Sequence, residues 1–293
     1  MELNLFPPPI LIFVRPQAAG NIGAMARAMS NFGADQLRLV GEGVVYAHRE
    51  DDPFSKMDWS MAKRGEHILN SVKWFRSLKD ALFDTGFALG TSGRNTEFER
   101  GYGRPFCNPS AACRQVAEWK EQAPENFKWA LIIGPEDDGL NEGEASLCQK
   151  LIQVPTTGPN PSLNAAMAVG ILLYHINQVR TGHIDLASSS PSESGPFMPA
   201  QKTKSSETGR SDWSTFEQKE RFLDYLFETL AKTSFLKFPD TEAVKARVRR
   251  WLQIAPMPVG ELLFAFEIIY HLRSWGSGKF EERNFLTEKR ENT

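Results

Sequence analysis

Between Leu151 and Val179 the chain reads as a short apolar strand ending in Val154 and Pro155, a turn from Thr156 to Pro161, and the run SLNAAMAVGILLYHINQV. The turn holds Gly158, Pro159 and Pro161, and Ser162 stands where a helix N-cap belongs. A strand, a sharp loop and a buried helix follow from this order of residues. Free backbone N–H groups at such a helix start can hold a carboxylate, a phosphate or a cofactor edge. The same pattern also describes a plain capped core helix, so the stretch needs the rest of the chain to be interpreted.

Upstream, Ile10 to Val14 is a compact run of branched apolar residues, hence a buried strand. RPQAAGNIGAMARAMSNFGA then turns into a helix with Ile22, Met25, Ala26 and Met29 at helical spacing, stopped by Asn31 and Gly33. Leu37 to Val40 is a second strand, and strand, helix, strand opens a parallel α/β sheet. Gly41 to Ser60 is a polar loop; Ala62 to Leu69 and Leu78 to Phe83 read as helical, and Val72 to Phe75 as a short strand. Phe87 to Leu89 leads into GTSGR, and RNTEFERGYGR after it mixes arginine with aromatic residues. Pro109 to Gln122 is a helix with proline in its first turn, and the strand Trp129 to Ile133 runs into the acidic, glycine-containing turn GPEDDGLNEGE.

From Ser188 to Ser214 serine, proline, glycine and threonine dominate, a composition that cannot bury enough surface to fold. It divides a domain over 1–180 from a helical one over 215–293, with a flexible linker over 181–214. The tail carries three helices. Phe216 to Leu230 is amphipathic. Ala243 to Leu252 has Val244, Val248, Trp251 and Leu252 on one face and Lys245, Arg247, Arg249 and Arg250 elsewhere. Val259 to Leu272 is apolar nearly all round, as a buried helix would be.

A net charge of −2 over 293 residues provides no overall field toward nucleic acid, so any such binding uses a local patch such as this basic strip. Three cysteines without a C-x-x-C pair, and histidines without metal-ligand spacing, predict reduced thiols and no structural metal. The first residues lack the pattern of a signal peptide, and the longest apolar run, Ala165 to Tyr174, is too short to span a bilayer. These features predict a cytoplasmic protein with no membrane partner.

Three separated pieces, GNIGAMARAMSNFG, IIGPEDDGL and VPTTGPNPSLNAAMAVG, each follow or end a strand. Together they resemble the three motifs of the SPOUT superfamily, in its TrmH-like branch of RNA ribose 2′-O-methyltransferases, and the helical tail makes the chain most similar to the TrmJ-type tRNA methyltransferases. The resemblance implies a parallel-sheet α/β SPOUT fold with a C-terminal deep trefoil knot near Gly134 to Val179, followed by a small all-α domain. It further implies a homodimer, S-adenosyl-L-methionine bound within the knot, and tRNA as partner, methylated on the first ribose of the anticodon loop.

Carried over by motif, the cofactor-binding residues are Thr91, Ser92 and Gly93 on one loop, Gly134 on the second, and Val154, Ser162, Leu163 and Asn164 on the third. Arg27 matches the catalytic arginine, and Asn21, Glu136, Ser162 and Asn164 match other active-site positions. Arg27 is also counted, with Lys245, Arg247, Arg249 and Arg250, as RNA-binding. Guanidinium groups keep their proton near neutral pH, so clamping a phosphate is the easier task for Arg27. Pro135 stands where many relatives carry arginine, removing a charge and a backbone donor. Open alternatives are an rRNA ribose methyltransferase of the same fold, an RNA-binding protein that has lost the chemistry, and a dinucleotide-binding oxidoreductase; against the last, no G-x-G-x-x-G follows the first strand.

Overall fold

The computed structural model describes residues 6–41, 61–92, 106–122, 127–157, 162–184, 213–232, 241–253 and 257–275. The predicted loop 42–60, Gly93, the Arg94–Arg104 segment, the turn residues 158–161 and most of the linker lie outside them.

Seven strands form one parallel sheet: β1 (Ile10–Val14), β2 (Leu37–Val40), β3 (Lys73–Phe75), β4 (Phe87–Thr91), β5 (Phe106–Cys107), β6 (Trp129–Ile133) and β7 (Lys150–Ile152), in the order β3-β2-β1-β6-β4-β7-β5. Helices cover both faces, so every residue of β1 and β6 is buried and the alternation of side chains only decides which core each enters. Leu11, Phe13, Trp129, Leu131 and Ile133 face the larger core, shared with α1 (Ala19–Phe32), α4 (Pro109–Gln122) and α6 (Ala165–Arg180). Ile10, Ile12, Val14, Ala130 and Ile132 face the other, which is covered by α3 (Leu78–Ala81) and α5 (Glu142–Ala145). Between Gly65 and Ser71 lies the short α2 (Glu66–Asn70).

Arg38 in β2 is only 2% exposed. Its guanidinium makes two hydrogen bonds to Asp84, at 2.7 and 3.0 Å, and lies over the rings of Phe75 and Phe83. Such pairing is what permits a charge in a sheet interior.

Among the described residues of the tail there are three helices, α7 (Phe216–Leu230), α8 (Thr241–Gln253) and α9 (Val259–Trp275), with a core of Phe222, Leu223, Phe227, Leu252, Leu262, Phe266 and Ile269. The start of α7 also rests on the sheet. Phe216 is buried in the second core, its N–H donates to Thr85 O at 2.9 Å, and Lys79 on α3 pairs with Glu220 at 2.9 Å.

Several expectations are corrected. The strand before the proline turn ends at Ile152 rather than Pro155. Helix α1 continues through Asn31, and Gly33 alone, at φ +72°, ends it. Asn164, not Ser162, caps α6: its side chain accepts from Ala166 N and Met167 N at 3.0 and 3.2 Å. Trp251 is 68% exposed rather than packed with Leu252, and α9 exposes Phe264, Ile268 and Leu272 on the side its core contacts leave open. The two-residue β5 is too short to carry a periodicity of its own, so no sequence pattern predicts it.

Candidate active site

Strands β6, β4 and β7 are neighbours, and all point the same way, so the loops at their carboxyl ends meet at one edge of the sheet. Ser92 N donates to Ile152 O at 3.0 Å and Thr91 Oγ1 to Ile132 O at 3.2 Å, tying the three strand ends together. A cavity of about 250 Å³ opens there, near the lower end of the range for small-molecule sites. Thr91, Ser92, Gly134, Val154, Ser162 and Leu163 all line it, bringing together the GTSGR loop and the second and third motifs; the first motif, residues 20–33, does not reach the lining. Asn164 is not part of the lining and Gly93 lies outside the described residues.

The β6 loop is shaped by Gly134. A β-carbon there would lie 2.5 Å from the carbonyl carbon of Gly139 and collide with Leu140 N, so the loop folds back on itself only with glycine. Gly139, at φ +69°, reverses the chain and donates its N–H to Pro135 O at 3.0 Å. Pro135 is therefore buried in the turn as an acceptor, a role that needs no N–H of its own. Asp137, Asp138 and Leu140 of this loop line the cavity, as does Leu172 of α6. These four were not singled out in the sequence, although the acidic turn was visible.

Glu136 leaves the same loop toward α1. That helix starts without a side-chain cap of its own and without an acid in its first turn. The Glu136 carboxylate takes both roles from across the fold, accepting from Gln17 N at 3.0 Å, Ala18 N at 3.1 Å and Asn21 Nδ2 at 2.7 Å. Asn21 Oδ1 in turn accepts from Asn164 Nδ2 at 3.1 Å. Three of the predicted catalytic residues thus form one chain, Glu136 to Asn21 to Asn164, joining the second motif through the first to the start of α6. Ser162 is exposed and lines the cavity.

Arg27 lies six residues beyond Asn21 on α1, about 9 Å along the helix axis. It is exposed, and its side chain makes no hydrogen bond or ion pair with the described residues. Arg15, at the end of β1 with φ +46°, pairs with both carboxylate oxygens of Glu144 in the α5 capping box. Nothing in the sequence marked this pair.

In the tail the basic strip divides. Lys245 pairs with Asp224 at 3.0 Å, and Arg249 grips the nearly buried Glu220 through two bonds of 2.7 and 3.0 Å, so both knit α8 to α7. Arg247 is exposed and Arg250 half-buried.

Among the described residues no group of His, Cys, Asp or Glu is placed to hold a metal ion, and no helix is long and apolar enough to cross a membrane. The cysteines are buried; desolvation raises Cys107 to about 11 and Cys113 to about 12, which disfavours the reactive thiolate.

The family model described as SpoU rRNA Methylase matches residues 8–174, which include all three loops and both asparagines. The chain is 30% identical over 178 residues to the tRNA (cytidine-2′-O-)-methyltransferase TrmJ of Methanocaldococcus jannaschii, an alignment covering 60% of this chain and 71% of that one. It is 28% identical over 244 residues to the tRNA (cytidine/uridine-2′-O-)-methyltransferase TrmJ of Pectobacterium atrosepticum, covering 82% and 86%. Among solved structures, TrmJ from Z. mobilis ZM4 has the same fold, with a TM-score of 0.67 at 24% identity over 91% of this chain and 99% of that one. With the matched segment holding the sheet, the cavity and the Glu136–Asn21–Asn164 chain, the protein belongs to the SpoU rRNA methylase family of RNA-methylating enzymes.

Proposed function

We propose that the protein transfers a methyl group from S-adenosyl-L-methionine to a ribose 2′-hydroxyl of tRNA, at the first ribose of the anticodon loop. The observation that carries this reading is the convergence of the GTSGR loop and the second and third motifs on one cavity, to which the first motif is tied by the hydrogen bonds from Glu136 through Asn21 to Asn164. The choice of tRNA rests on the names of the TrmJ relatives.

The cavity suits the cofactor chemically. Val154, Leu163 and Leu172 offer an apolar wall, Thr91 and Ser92 offer hydroxyls, and Asp137 and Asp138 offer carboxylates on the side where a positive charge would be welcome. Thr91, Ser92, Gly134, Val154 and Leu163 would hold S-adenosyl-L-methionine, which when bound supplies an activated methyl group on a sulfonium. Gly93, Ser162 and Asn164 complete the proposed set. The chain's own contribution is positioning, which alone can supply much of a barrier reduction. Glu136 already accepts three hydrogen bonds, so its part is to fix α1 rather than to take a proton. Arg27, exposed and unpaired within the described residues, is suited to clamp an RNA phosphate and steer the hydroxyl.

The reading includes the C-terminal trefoil knot of the family, a helical RNA-binding domain from residue 215 after a linker, and a cytoplasmic homodimer. The exposed stripe of Met167, Ile171 and Tyr174 along α6, beginning next to Asn164, supports a dimer contact beside the site. A second reading, rRNA as substrate, is favoured by the description of the family model alone.

Calorimetry with S-adenosylhomocysteine, followed by mapping of 2′-O-methyl riboses in tRNA and rRNA treated with the full chain, tests these readings. Methylation of tRNA at the first anticodon-loop ribose is expected. Binding of a nicotinamide dinucleotide with no response to S-adenosylhomocysteine would overturn the proposal, and methylation of rRNA alone would move the substrate to the second reading.

A further inference from the structure

We infer that Lys63 and Arg64, seated on the backbone of α1 by Gly65, form with Arg27 a single phosphate-gripping surface for the RNA substrate. The inference rests on the RNA methyltransferase reading above and extends its binding surface to two residues outside the three motifs.

Residues Lys63–Gly65 make a short 3-10 turn before α2. A β-carbon on Gly65 would lie 2.6 Å from both Ala26 C and Ala26 O and 2.8 Å from Arg27 N. Those are backbone atoms of a helix and cannot move aside, so the turn touches α1 at Ala26–Arg27 only because residue 65 has no side chain. One helical turn further on, Ser30 Oγ donates to Arg64 O at 3.3 Å. Lys63 holds φ +42°, a conformation that favours glycine, so the tight approach is kept at some backbone cost.

This packing brings the backbones of three cationic residues within about a helical turn of one another. Arg27, Lys63 and Arg64 are all exposed, and none makes an ion pair with the described residues. Glu66, the acid next in sequence, is exposed too and pairs with none of them. Several other cations of the fold are matched: Lys79 with Glu220, Lys128 with Asp84, Arg15 with Glu144. Three unmatched cations on a chain of net charge −2 form a local positive surface, and a polyanion is the ligand that relieves their mutual repulsion. Arg27 sits on α1, whose first turn is held by Glu136 of the cavity-lining loop, so a phosphate chain gripped here lies on the helix anchored to the proposed methyl-transfer site.

The test compares the wild-type full chain with Lys63→Ala/Arg64→Ala and with Lys73→Ala, which removes an exposed charge from β3 instead. Binding of tRNA is measured over a salt series, with S-adenosylhomocysteine affinity and tRNA methylation kinetics in parallel. The double variant is expected to bind tRNA roughly tenfold or more weakly, with a shallower salt dependence by about one to two phosphate contacts. KM for tRNA is expected to rise while kcat and cofactor affinity stay within about threefold of wild type, and Lys73→Ala is expected to change none of these. An unaltered salt slope and tRNA affinity would overturn the inference and return the two residues to a solvated surface. Loss of cofactor affinity along with tRNA affinity would also overturn it, assigning the turn to folding. If the wild-type chain itself binds no RNA, the proposed function fails first and this inference with it.

Discussion

Asn21 Nδ2 and Glu136 Oε1 lie 2.7 Å apart although 115 residues separate them in the chain. Through this bond the start of α1 is anchored by the loop after β6, and that loop, which lines the cavity, is anchored by α1. The cavity and α1 are therefore one mechanical unit.

Glu136→Ala removes an acceptor from two backbone N–H groups and one side-chain amide. Water can reach the backbone pair, so the cost is expected to be about 1–2 kcal/mol in stability. The larger effect falls on the site, because Asn21 and Asn164 lose their common anchor and S-adenosylhomocysteine affinity drops. Glu136→Gln keeps one acceptor oxygen and is expected to lie between the two. Thermal unfolding and calorimetry on both variants check this; an alanine variant with wild-type affinity would show that the hydrogen-bonded chain is idle.

Removing the Arg27 side chain is expected to slow methyl transfer while leaving cofactor binding intact, because Arg27 is exposed on α1 and does not line the cavity. A loss of ~3 kcal/mol in the transition state corresponds to a rate reduced by more than a hundredfold. Arg27→Lys keeps the charge without the planar fork, so poor rescue is the expected sign of bidentate phosphate contact. Single-turnover methylation of tRNA by both variants decides, and near-normal turnover in Arg27→Ala removes the residue from the mechanism.

The sheet was legible in the sequence because its strands are runs of apolar residues bounded by turns: Ile10 to Val14, Leu37 to Val40 and Trp129 to Ile133 appear as read. The meeting of the GTSGR loop with the second and third motifs was implied by the family resemblance, and the order β6, β4, β7 produces it, since parallel neighbours place their carboxyl ends together. What stayed hidden was non-local. Ser162 and Asn164 are both good caps, and the choice depends on where the incoming chain meets α6. No local pattern shows that Glu136 caps α1, that Arg38 finds Asp84, or that Glu220 captures two cations. The exposed face of Trp251 was missed because α8 touches its neighbours along a narrower stripe than its apolar residues occupy.

Lys219 is buried beneath α7 against Gly86 and Ala88, and desolvation lowers its pKa from 10.5 to about 8. Between pH 8 and 10.5 the unfolded chain binds more protons than the folded one, so this group makes stability rise with pH over that window. Below pH 8 the charged form is present in both states and its burial penalty is fully felt. Lys219→Met is expected to raise stability at pH 7 by roughly 2–3 kcal/mol, with the advantage shrinking toward pH 10. Urea unfolding of both proteins at the two pH values measures it; a constant difference would mean that the ammonium group is not desolvated.

The four tail cations are expected to separate into two pairs. Arg249 is 16% exposed in its side chain and bonded twice to Glu220, itself 3% exposed, while Lys245 holds Asp224. Because Glu220 also takes Lys79 from α3, these contacts connect the tail core to the sheet as well as α8 to α7. Lys245→Ala/Arg249→Ala therefore leaves a nearly buried carboxylate with one partner fewer, a change expected to cost about 1–3 kcal/mol and to lower the melting temperature by several degrees. Arg247 is exposed and Arg250 half-buried, with the exposed Trp251 next in sequence. Arg247→Ala/Arg250→Ala is expected to leave the melting temperature near its original value and to flatten the salt dependence of tRNA binding by about one to two contacts. Salt series and thermal unfolding on both double variants distinguish the roles. If the Lys245/Arg249 variant loses tRNA affinity with its stability intact, the ion pairs open on binding and all four cations belong to the RNA surface.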